Sequence, residues 1–99
     1  MPAHLDAPAA GTSVDPLCFQ IRGWLWLDAG QPMIAAIEAW SGDTLLGEAA
    51  TLYVRSDVNT ALALAPAAVT GFEFFAHHPA ASFGARLDLR LHARLRDIP

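Results

Sequence analysis

The chain has 99 residues, and its six basic residues, all arginine, stand against ten carboxylates for a formal net charge of −4. Hydrophobic residues make up 54% and charged residues 16%, which excludes a disordered chain, because apolar burial offsets the entropy of ordering. The balance also argues against a nucleic-acid binder, which needs clustered basic residues on phosphates, and the lack of lysine excludes Schiff-base chemistry and a P-loop.

Met1 to Pro16 is rich in Ala and Pro and shows no sustained period, so residues 1–16 read as a flexible leader and 17–99 as a single domain. From Cys18 to Leu27, Phe19, Ile21, Gly23, Leu25 and Leu27 alternate with Cys18, Gln20, Arg22, Trp24 and Trp26, a period of two that predicts a strand. Either face of this strand can be the inner one. A turn is expected over Asp28 to Pro32, then a second strand over Met33 to Trp40, with Ile37 and Ala39 set against Glu38 and Trp40. Ser41-Gly42-Asp43 makes a hairpin connection to a third strand, Thr44 to Val54, inside which Gly47 marks a bulge or a close backbone approach.

Asp57 is a good N-cap for a helical turn over Val58 to Leu64, closed by Pro66. Val69 to His77 reads as another strand, with Phe72 and Phe74 on one side and Glu73 and Phe75 on the other. In the last strand Leu87, Leu89, Leu91, Ala93 and Leu95 alternate with Arg86, Asp88, Arg90, His92, Arg94 and Arg96, one face buried and one wet. Short strands joined by Gly, Pro and Asp turns predict an all-β antiparallel sandwich or small barrel. The end at Asp97-Ile98-Pro99, directly after a strand, reads more as a domain cut from a longer protein than as a complete enzyme, with a short natural chain as the alternative.

No pattern in the chain carries catalytic chemistry. His77 and His78 are adjacent and point to opposite faces of a strand, and a zinc site using His77, His92 and Cys18 lacks zinc-finger spacing. None of Ser13, Ser41, Ser56 and Ser82 sits in a nucleophile elbow. Asp28, Glu38, Asp43, Glu48, Asp57, Glu73 and Asp88 supply acids for glycoside hydrolysis, but most fall at turns or on polar strand faces, and so short a chain hardly forms the cleft required. No catalytic residue, metal ligand or cofactor is therefore assigned. The aromatic residues are more informative: Trp24 and Trp26 share a strand face and, with Trp40, offer a flat platform for a sugar ring or an apolar contact for a neighbouring domain. The arginine row of the last strand is either an anion or partner surface or the solvated face that protects an edge.

Four short motifs carry a resemblance: Gly23-Trp24 in the first strand, Leu46-Gly47-Glu48 in the third, Arg55-Ser56-Asp57-Val58, and Gly71-Phe72. From about Phe19 to Leu95 the chain resembles a small immunoglobulin-like β-sandwich module found beside glycosyltransferase and methyltransferase domains in bacterial polysaccharide-modifying proteins. That family commonly has proline where this chain has Ser56. The resemblance implies an immunoglobulin-like sandwich with one short helical turn and an accessory, non-catalytic role. Arg55, Asp57, Gly71 and Phe72 then form a structural motif: Arg55 bonds loop carbonyls or pairs with Asp57, and Gly71 serves a positive backbone angle or close packing.

The expected function is accordingly an interaction module associated with a sugar-modifying enzyme, the alternative being a carbohydrate-binding module that uses the aromatic platform. Its partner is an adjacent catalytic domain or another protein, with a glycan as a further ligand and neither nucleic acid nor a membrane span. No run approaches the roughly 18 apolar residues of a span, the first residues lack a signal-peptide pattern, and Cys18 has no second cysteine to pair with, so a cytoplasmic protein is expected, and the resemblance implies a bacterial one.

Overall fold

The computed structural model describes residues 3–8, 15, 17–78 and 88–96. Among the described residues, seven strands are arranged as β1 (Ala3–Ala7), β2 (Phe19–Leu25), β3 (Ile34–Ser41), β4 (Thr44–Ala49), β5 (Tyr53–Val54), β6 (Val69–Ala76) and β7 (Leu89–Leu95), with a 3-10 helix over Asp28–Met33 and one short helix, α1 (Ser56–Ala61). They form two antiparallel sheets, ordered β1-β2-β6-β5 and β4-β3-β7. This is the ABED against C′CF order of immunoglobulin-type sandwiches, with no strand at the G position among the described residues.

The period-two faces place the core between the sheets. Phe19, Ile21 and Leu25 of β2, Ile37 and Ala39 of β3, Leu46 and Ala49 of β4, and Phe72, Phe74 and Ala76 of β6 form one buried cluster, which settles which face of β2 points inward. Burying each large side chain contributes about 1.5–3 kcal/mol relative to exposure. The rings of Phe72 and Phe74 lie 6.3 Å apart and tilted, within the range in which aromatic pairs attract.

Gly47 does both things expected of it. The register passes from Ala39 opposite Gly47 to Trp40 opposite Leu45, leaving Leu46 as the extra residue of a bulge. A side chain at position 47 would lie 2.7 Å from the Phe75 carbonyl oxygen, so the glycine lets β4 approach β6. There the His77 N–H donates to the Leu46 carbonyl at 3.0 Å and ties the two sheets along one side.

The structure departs from the sequence reading in four places. Residues Ala3–Ala7, read as part of a leader, form strand β1 on β2; only Leu5 turns toward the core, so no alternation announces it. The predicted third strand is two strands in different sheets, because the chain crosses at Ala50 to Leu52, and a period-two pattern does not register a change of sheet. The turn after β2 is a 3-10 helix entered through Asp28 at φ 52°. The helix predicted over Val58 to Leu64 begins at Ser56 and ends at Ala61; Arg55 occupies its N-cap without a side-chain cap bond, and Ala63 at φ 56° lies just beyond its end. Asp57 is thus inside the first turn and is not the cap.

Candidate functional site

Hydrogen-bonding register brings three of the four quoted motifs to one place. On the outer face of the first sheet, His4 stands opposite Trp24, Trp24 opposite Gly71, and Gly71 opposite Tyr53, a row across all four strands. Gly71 has no side chain, and its φ is not positive; its role is close packing. A Cβ there would lie 2.6 and 2.8 Å from Cγ and Cδ of Arg55 and 2.8 Å from the Tyr53 ring. The trough at Gly71 is filled by the aliphatic stem of Arg55, which lies flat on the sheet.

The Arg55 guanidinium binds two carboxylates. Nε and Nη2 donate to the two oxygens of Asp57 at 3.2 and 2.6 Å, a forked pair, while Nη1 donates to Asp6 on β1. Of the two expectations for Arg55, the ion pair with Asp57 is realised. The hydrogen bond from Arg55 holds the Asp57 carboxyl below the usual carboxylate range. In return, Asp57 and then Asp6 raise the Arg55 pKa against the opposing effect of burial. Asp6 also lies 3.6 Å from His4 Nε2. Arg55 is only 19% exposed and Asp6 22%, whereas Asp57 is 67% exposed. The fourth motif residue, Phe72, is on the core side of the same strand, its ring tip 2.8 Å from where a Cβ of Gly23 would be. Asp6 escapes a reading of the sequence because β1 itself does.

The three tryptophans do not share one surface. Trp24 is half-buried on the outer face of the first sheet, and Trp26, just past the end of β2, donates from Nε1 to Asp28 at 2.8 Å. Trp40 is on the outer face of the second sheet, opposite Leu45 and Arg90, with Nε1 donating to Glu38 at 3.3 Å. A ring stacked on Trp24 is therefore out of reach of Trp40. Phe75, Val69 and Tyr53 add exposed apolar surface to the face that carries Trp24, at 67%, 41% and 37% exposure.

The arginines of β7 fold back over their own sheet. Arg94 reaches Glu38 at 3.3 Å and Glu48 at 3.5 Å, bridging two carboxylates that face each other across β3 and β4. Arg90 donates to the Gly42 carbonyl. Arg86 lies outside the described residues. His92 projects from the second sheet, Cys18 is exposed beside β2, and no group of three metal-ligating side chains occurs among the described residues. No protein-family model, curated protein or solved structure matches the chain. No helix among the described residues is long and apolar enough to cross a membrane.

Proposed function

We propose that the domain is a non-catalytic accessory module that packs against, or positions, a sugar-modifying catalytic domain in the bacterial cytoplasm. The supporting observation is the outer face of the first sheet, where Val69 and Tyr53 are exposed near half-buried Trp24 and Phe75 is exposed farther along β6, beyond the facing Arg22 and Glu73. An apolar face of this kind gains free energy when a partner covers it. Within the face, Arg55, Asp57 and Gly71 are committed to one another, and this supports a structural role for the motif. The association with sugar-modifying enzymes and the bacterial origin rest on the resemblance of these motifs, and the compartment on the sequence's lack of a signal-peptide pattern and of a second cysteine.

The test adds catalytic domains of bacterial glycosyltransferases and methyltransferases, the classes that the resemblance implies, to the isotope-labelled chain. Saturable shifts at Val69 and Phe75, weakened about tenfold by Phe75→Ser, are expected for an anchoring aromatic contact. Amide spectra that ignore every such domain would refute the reading.

A second reading is favoured by one observation: Trp24 and Tyr53 flank a forked arginine–carboxylate pair whose Asp57 is open to solvent. Aromatic faces beside hydrogen-bonding groups suit a sugar ring, and Trp24 with Trp26 would supply the platform. Titration with oligosaccharides and nucleotide sugars, followed at the indole resonances, decides it. Movement of Trp24 and Trp26 without Trp40 is the outcome expected of a glycan site, and unmoved indoles exclude one.

A further inference from the structure

Cover of the core thins along β7, where Leu89, Leu91 and Ala93 are half-buried, whereas Ile37 and Ala39 on the neighbouring strand are 2% and 0% exposed. Where β7 ends, the two sheets part around a pocket of about 190 Å³ that is partly open to solvent. Its walls come from the start of β3, the end of β4 and the crossing to β5. Ala35, Ala36, Ala49 and Ala50 line it with methyl groups, and the space exists because none of these side chains extends beyond Cβ. Two polar residues give the pocket a direction. Gln31, 5% exposed, lines it with an amide already engaged: Nε2 donates to the Leu25 and Val69 carbonyls, and Oε1 accepts from the Leu27 N–H. With both N–H groups spent, Gln31 has no donor left for an anion, only an acceptor lone pair. Arg96 brings the one charge among the described lining residues. Its N–H donates to the Met33 carbonyl at 2.7 Å, which fixes its backbone against the start of β3, and the residue is exposed, which puts it at the mouth.

Independently of the reading above, we infer that this pocket binds a small monocarboxylate with a compact apolar body, its carboxylate at the Arg96 guanidinium and its body against the four alanines. Size limits the body. An apolar cavity of about 150 Å³ takes benzene, so this pocket takes a ring or branched chain of similar bulk below the charged head. A guanidinium holds a carboxylate through two parallel N–H···O bonds, and partial removal from water strengthens the pair. A second charge deeper in the ligand would lie against methyl groups and the Gln31 oxygen at a desolvation cost, so the ligand carries one.

The experiment titrates the full isotope-labelled chain with benzoate and 4-methylpentanoate, with benzamide and toluene as neutral probes of similar bulk, and follows the alanine methyl resonances by NMR. Saturable shifts at Ala35, Ala36, Ala49 and Ala50 are expected, with a Kd of about 1 mM or below for a ligand of about nine heavy atoms. Benzamide and toluene should bind about tenfold more weakly, and Arg96→Gln should bring benzoate down to the level of benzamide. Ala50→Phe, at an exposed position, fills the space and should abolish binding while the dispersion of the β spectrum is kept. Four results would overturn the inference: no saturable shift up to about 20 mM, unchanged benzoate affinity in Arg96→Gln, toluene bound as tightly as benzoate, or shifts centred on Trp24 and Trp26.

Discussion

Replacing Arg55 with methionine removes the guanidinium and keeps most of the stem that fills the trough at Gly71. Two consequences can be separated. Asp6, 22% exposed, loses the donor that compensates its partial removal from water, and a covered polar group without its partner costs about 1–3 kcal/mol. Asp57 is open to solvent and is rehydrated when its partner leaves, so it adds little. The expected loss is about 2 kcal/mol, between the effect of an exposed ion pair and that of a buried one. In a domain of this size it lowers Tm by roughly 8–16 °C. Urea unfolding followed by tryptophan fluorescence measures it, with an unchanged m-value showing that the two-state reference holds. The partner assignment is checked by a double-mutant cycle with Asp6→Asn, in which the two losses should fall short of adding. A loss below about 0.5 kcal/mol, or strict additivity with Asp6→Asn, would show that the strap across the sheet contributes nothing to stability.

Three further outcomes are expected. Because Asp57 titrates below its unfolded value in the fold, its contribution is present above the unfolded aspartate pKa of about 3.9 and is lost as pH falls through the folded value. Wild type and Asp57→Asn should therefore differ in urea midpoint near neutrality and converge in acid. Gly23→Ala would place a Cβ 2.3 Å from the His4 carbonyl oxygen and 2.8 Å from the Phe72 ring. It should cost about 2–3 kcal/mol and speed amide exchange in β1, with Gly30→Ala as a mild control. Asn59, fully buried, donates to the Pro66 and Ala68 carbonyls and accepts from Thr70 Oγ1; Asn59→Leu should cost about 3 kcal/mol by urea unfolding and Thr70→Val about 1.

Alternation was the legible part of the fold. The two faces of β2, of the later part of β3 and of the described part of β7 follow from period two, although which face of β2 points inward does not and β3 breaks the alternation where Ala36 and Ile37 are both buried. Gly47 was legible because a glycine within a strand has a limited set of uses. The crossing between β4 and β5 was not, because Ala50, Thr51 and Leu52 lack the Gly or Pro that punctuates a change of direction. Of the candidate site, Arg55 and Asp57 were visible as neighbours in sequence. Asp6 was not, because its role depends on a register 49 residues away. Gln31 is a further example. It reads as a polar turn residue, yet it is buried, accepts from the Leu27 N–H and donates to the Leu25 and Val69 carbonyls. Such a latch is specified only by three-dimensional proximity.

The seam where β4 meets β6 gives the sandwich the mechanics of a bound book. One long side is fastened through Gly47 and the Leu46–His77 hydrogen bond, while the opposite side, along β7, is thinly covered. Breathing motions of the two layers are expected to pivot on the fastened spine and to open widest at the fore-edge. Local unfolding is expected to follow that gradient, with faster amide exchange in β7 than in β2, β3 and β6.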